Sequence, residues 1–166
     1  MHDSCKDFFR GIRDKREEKT MKISAVLIVS LVLSTFMLLT ASATSFDLSA
    51  PAAQQMAVAG ELTLIDIRTP PEWRQTGVAE GAKLIDMLHP DGARGFVAEI
   101  LRQVEGDRNA PIALICRTGN RTTQVQRFLL QQGFTRVYNV REGMAGSDAG
   151  PGWMRRGLPI DPCRHC

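Results

Sequence analysis

Cys116, Arg117, Thr118, Gly119, Asn120 and Arg121 carry the densest chemistry in this chain of 166 residues. A cysteine closes an apolar run and opens a loop that contains a glycine and ends on an arginine. Ile112 to Ile115, just before it, is apolar at every position, which predicts a short strand buried on both faces. Thr122 to Gln132, just after it, predicts a helix: Val125, Phe128, Leu129 and Gln132 share one face, and Gly133 is a natural stop. A thiol between a strand end and a helix start meets unpaired backbone N–H groups and the positive end of a helix dipole. Such a place suits a thiolate or a bound anion.

Exchange at sulfur needs the thiolate, and an ordinary free thiol (pKa near ~8.5) is only about 3% ionised at neutral pH. Arg117 and Arg121 supply cations, and the amides from Thr118 to Thr122 supply dipoles, both of which favour the charged form. A Cys–His dyad would require His89, in the turn-like run His89-Pro90-Asp91-Gly92, to fold over the loop. Attack on an outer sulfur needs no such base.

The elements that position this loop alternate in type. Ser49-Ala50-Pro51 opens a capped helix through Ala59, which Gly60 ends. Leu62 to Asp66 predicts a strand, Pro70-Pro71-Glu72-Trp73 a turn or a single helical turn, and Ala82 to Ile85 a weaker strand. Phe96, Val97, Ile100, Leu101 and Val104 make a helix face stopped by Gly106, and Val137 to Val140 is a further strand. Strands separated by helices predict an α/β fold with a parallel sheet covered on both faces. Ligands of such sheets bind at the carboxyl ends of strands, where Asp66 and Cys116 both fall.

Residues 1–43 look like processing sequence. Lys22 precedes an apolar run from Ile23 to Leu39 and the small residues Ala41-Ser42-Ala43, a leader pattern with cleavage expected after Ala43 and Met21 as an alternative start. If retained, the uncharged run is long enough to anchor the chain in a membrane. Both outcomes place the domain outside the cytoplasm, with the periplasm as the expected compartment. The remaining residues hold 14 Lys and Arg against 13 Asp and Glu, so the net charge of +3 lies mostly in the leader. No basic patch points to nucleic acid.

Of the 4 cysteines, Cys5 lies in the leader. In an oxidising compartment the other three predict one pair and one free thiol; Cys163 and Cys166 are the obvious pair, which leaves Cys116 free. The tail Pro162-Cys163-Arg164-His165-Cys166 reads as a disulfide, a redox dithiol or half a metal site, and it lacks the further ligands zinc would need. No metal and no cofactor is expected.

At this point the residues resemble a family. Leu64 through Trp73 resembles the first box of the rhodanese family. Gly77 through Ala82 is similar to the second, with Val78 where a histidine is usual. Cys116 through Arg121 resembles the active-site loop, and Trp153 with Gly157-Leu158-Pro159 resembles the closing motif. The resemblance implies a rhodanese-like parallel five-stranded sheet with helices on both faces. It sets a domain at 60–160, a lead-in at 44–59 and a CxxC tail at 161–166. It further implies a persulfide-forming Cys116 and a sulfurtransferase activity: a small anionic sulfur donor such as thiosulfate, and a thiol, cyanide or protein acceptor. A non-catalytic sulfur-carrier or binding module is the alternative. A cysteine phosphatase or arsenate reductase is a lesser one, because four residues between Cys116 and Arg121 make a tighter ring than a phosphate cradle; Asp148 is its general acid by position alone.

The remaining residues have structural roles as their first expectation. Asp66 and Arg68 predict an ion pair at the loop entrance, with substrate steering second. Glu72 is a capping or solvated carboxylate, Trp73 and Trp153 pack, and Thr122 opens the helix.

Overall fold

A computed structural model of the chain describes residues 46–164 and Cys166. The leader, its start and its cleavage site lie outside the described residues. In chain order the elements are β1 (Asp47–Leu48), α1 (Ala50–Val58), β2 (Thr63–Asp66), α2 (Pro70–Thr76), β3 (Val78–Ala79) and β4 (Lys83–Leu84). They continue as α3 (Gly92–Gln103), β5 (Ile112–Ile115), α4 (Asn120–Gln131), β6 (Val137–Val140), α5 (Gly152–Arg155) and β7 (Ile160–Asp161).

Five strands form one parallel sheet in the order β1-β6-β5-β2-β4. Central β5 pairs along its whole length with β2, Thr63 opposite Ile112 through Asp66 opposite Ile115. That register sets Asp66 beside Ile115, so the residues leaving the two strands, Ile67 and Cys116, emerge at the same sheet edge.

The sheet is covered on both faces, which is why β5 at its centre is apolar throughout. Ile112, Leu114 and Cys116 of the β5 run pack with Ile65, Phe96, Ile100 and Leu129 beneath α3 and α4. Ala113 and Ile115 face the other way, toward Leu64, Ala53, Met144 and Trp153 beside α1 and α5. Ile100 and Leu129 are fully buried, each worth about 1.5–3 kcal/mol of transfer free energy.

Three differences from the sequence expectations bear on the site. Gln132, placed on the buried face of α4, is exposed just beyond the helix end; the buried face is Thr122, Val125 and Leu129. Pro70 through Thr76 makes two helical turns rather than one, started by prolines at its first positions and by a Glu72 carboxylate that accepts from the Thr69 N–H. The lead-in contributes a strand as well as its helix: β1 extends the sheet beside β6, and α1 packs on it. Outside the main sheet, β3 pairs antiparallel with β7, so the end of the domain is sewn to the segment that follows α2.

Candidate active site

Cys116 directly follows β5 with its side chain buried, 1% exposed. The chain then turns back to start α4, and Gly119 makes that turn at φ +82°. A side chain there would land on the backbone carbonyl of Arg141, so the position admits only glycine. The turn aims the Gly119 N–H at the Cys116 sulfur, 3.2 Å away. Thr122, one turn into α4, sets its hydroxyl 3.6 Å from the same sulfur while donating to the Gly119 carbonyl at 2.8 Å. With that proton on Gly119, the oxygen accepts from a thiol; swung round, the hydroxyl donates to a thiolate. Thr123 also donates to the Gly119 carbonyl, at 2.8 Å, and accepts from Asn139.

The outer side of the loop is held by backbone alone. Met144 N–H donates to the Cys116 carbonyl and Ala145 N–H to the Arg117 carbonyl, both at 2.9 Å. Gly143 brings these amides close at φ +62°; a Cβ there would meet the Arg117 carbonyl. The segment is anchored in turn by Glu142, a buried carboxylate accepting from Ala50 N–H at 2.6 Å, Gly152 N–H at 2.9 Å and Arg156 at 2.8 Å. Burial works against the ionised carboxyl of Glu142, and these donors prevail, holding its pKa below the ordinary value.

The two loop arginines differ in state. Arg121 makes a two-pronged pair with Glu72, at 2.8 and 2.5 Å. Those bonds, opposed by burial and assisted by Thr69, bring the Glu72 pKa down to about 2. They also push the Arg121 pKa upward, with the neighbouring Cys116 contributing in the same direction. Arg121 is therefore a fixed cation, held by the Glu72 carboxylate and favoured by the neighbouring Cys116. Arg117 is exposed, and among the described residues its guanidinium has no hydrogen bond or ion pair.

A small cavity of about 90 Å³ lies beside the loop, lined by Glu72, Gln75 and Thr76 of α2 and by Arg117, Met144 and Met154. Arg68 forms part of its wall. Its guanidinium is buried against Asp66, at 2.6 Å at the closest approach, and reaches on to the Gly77 carbonyl at 2.8 Å and the Thr76 hydroxyl at 2.7 Å. Arg68 thus ties the end of β2 to the end of α2 and fixes where the cavity wall stands.

Thr118 is half-buried and Asn120 exposed at the loop crest. His89 accepts from the Asp91 N–H, and Asp148 is exposed. Cys163 and Cys166 are joined as a disulfide in a separate groove, and Cys116 is the free cysteine among the described residues. No group of three or more metal-ligating side chains occurs among those residues. Sequence reasoning missed the backbone clamp from Met144 and Ala145. The run Arg141-Glu142-Gly143-Met144-Ala145-Gly146, with two glycines straight after a strand, is the signal that could have found it.

A cysteine on a strand-to-helix loop at the carboxyl edge of a β1-β6-β5-β2-β4 sheet defines a class. The chain matches the rhodanese-like domain family over residues 49–148, and it belongs to that family. A protein of Allochromatium vinosum named sulfurtransferase is 32% identical over 108 residues, 65% of this chain and 86% of that one. The thiosulfate sulfurtransferase GlpE of Actinobacillus pleuropneumoniae is 35% identical over 92 residues, 49% of this chain and 80% of that one. Among solved structures, Rv0390 of M. tuberculosis superposes with a TM-score of 0.56 at 27% identity, covering 70% of this chain and 96% of its own. The polysulfide-sulfur transferase homodimer of Wolinella succinogenes gives 0.53 at 26% identity, covering 77% and 88%. These relatives support a sulfurtransferase family and a rhodanese-type enzyme.

Proposed function

We propose that this protein moves a sulfane sulfur from a small anionic donor such as thiosulfate to a thiophilic acceptor, through a persulfide on Cys116. The observation that carries the reading is the cradle itself: the Gly119 N–H and Thr122 hydroxyl converge on the sulfur, with the Arg121 cation beside it. Cys116 thiolate attacks the outer sulfur of thiosulfate, the donor S–S bond breaks, and sulfite leaves with the electron pair. The terminal sulfur then carries the negative charge, which amide dipoles and a fixed cation stabilise. An acceptor thiol or cyanide takes that sulfur, and Cys116 departs as thiolate. Arg117, exposed at the mouth, draws the donor anion in.

The curated relatives named for sulfur transfer lend this reading their support. The phosphatase alternative is disfavoured because the Arg121 fork that would hold a phosphate is committed to Glu72. The leader pattern supports an exported, periplasmic protein, held at the membrane only if that leader is retained. No helix among the described residues is long and apolar enough to cross a membrane.

Intact mass spectrometry after thiosulfate treatment tests the reading, with Cys116→Ser as control. The wild type should gain one sulfur atom that cyanide removes, and the variant none. A wild type that gains nothing makes the chain a non-catalytic module.

A further inference from the structure

The tail disulfide lies at a groove that shares a lining residue, Thr76, with the cavity beside the Cys116–Arg121 loop. Beyond β7 the chain runs back along α2, and Arg74 of that helix donates to the Cys166 carbonyl. The tail and helix enclose a groove of about 540 Å³, lined by Arg74, Thr76, Gly77, Ile160, Cys163 and Arg164. Thr76 lines this groove and also the 90 Å³ cavity lined by Arg117 of the loop, so the two spaces share a wall. Cys163 and Cys166 are both partly exposed. Cys166 lies five residues beyond the anchor at Asp161, a reach of at most about 17 Å when extended, and Cys163 only two, about 7 Å. A persulfide also carries its outer sulfur about 2 Å beyond the buried Cys116 sulfur. Arg74 and Arg164 flank the pair and favour thiolates there once it is reduced.

We infer that the reduced Cys163–Cys166 pair is a built-in acceptor that discharges the Cys116 persulfide as hydrogen sulfide, with a Cys163–Cys166 disulfide as the product of that step. The inference rests on the persulfide reading above. Cys166 thiolate, the one with the longer reach, attacks the outer sulfur, the Cys116 S–S bond breaks, and its electron pair returns to Cys116. Cys163 thiolate then attacks the Cys166 sulfur, forming the disulfide and expelling hydrosulfide. One persulfide and two thiols become one thiol, one disulfide and one hydrogen sulfide. The two electrons that reduce the sulfane sulfur come from the tail thiols. An external dithiol must reduce the tail again before a second turnover.

The test uses the full chain, reduced with a dithiol, freed of it without air, and given one equivalent of thiosulfate. The wild type should release close to one equivalent of sulfide with no added acceptor. Its tail peptide should lose two hydrogens, at a rate independent of protein concentration. The Cys163→Ser/Cys166→Ser variant should release at least tenfold less and accumulate Cys116 carrying one extra sulfur, which also shows that its loop is intact. A wild type that keeps its sulfur on Cys116 beside reduced tail thiols overturns the relay but leaves the persulfide standing. A double variant that never gains sulfur removes the persulfide, and the relay falls with it.

Discussion

The Glu72 carboxylate holds the Arg121 guanidinium by two hydrogen bonds across 49 residues of chain. One contact therefore links the first turn of α2 to the first turn of α4 and fixes a cation beside Cys116. Glu72 is 23% exposed and Arg121 31%, so the pair is screened less than one at the open surface.

The depressed pKa of Glu72 makes this link pH-dependent with a definite sign. Its ordinary value of 4.5 falls to about 2 in the folded protein, so the stabilisation is complete above 4.5 and is lost as pH falls toward 2. Glu72→Gln should lower stability by roughly 1–2 kcal/mol at neutral pH after allowing for solvent screening. The gap should close as the wild type protonates. Urea denaturation of both proteins across that window measures it; a gap that stays constant would show that the carboxylate charge is irrelevant.

Gly119→Ala forces a methyl group into the Arg141 carbonyl at a left-handed backbone position. We expect a loss of roughly 3 kcal/mol or more, seen as a lowered thermal midpoint. Sulfur loading of Cys116 should fall with it, because the Gly119 N–H no longer points at the sulfur.

Asp66 and Arg68 form a pair that is almost wholly buried. Asp66→Asn should cost about 3–5 kcal/mol, because it leaves a buried guanidinium short of its charge partner. Replacing both, Asp66→Leu with Arg68→Met, should cost less than the sum of the two single changes. Denaturant midpoints of the full mutant cycle decide it, and simple additivity would mean the pair does not act as a unit.

Arg117→Ala removes the exposed guanidinium at the mouth, which has no partner among the described residues. Stability should stay within about 0.5 kcal/mol, while kcat/KM for an anionic donor drops by roughly tenfold at low salt. Raising ionic strength should shrink that difference, since screening removes the same attraction from the wild type. A salt-independent difference would point to direct contact with the donor instead of steering.

Much of the cradle is legible in the sequence because it is local. An all-apolar β5, a cysteine, a glycine and a helical period lie within twenty-odd consecutive positions, and each obeys a short-range rule. The partners of that cradle are not local. Nothing in spacing connects Glu72 to Arg121, and a capping role fully accounts for Glu72 when α2 is read by itself. The two-residue strands β1, β3 and β7 carry no periodicity, and each finds its partner far along the chain. Extending the helical period one residue past Gln131, the last residue of α4, puts Gln132 on the buried face, just before Gly133 turns the chain away.

The clamp on the carbonyls of Cys116 and Arg117 is made by amides of residues 144 and 145, and not by their side chains. Holding the loop and shaping its mouth are therefore separable tasks in this molecule. Gln75 and Met154 border the cavity without gripping the loop, so they can be exchanged while the grip on the sulfur is kept. A library at those two positions is where the size of the sulfur donor could be redrawn.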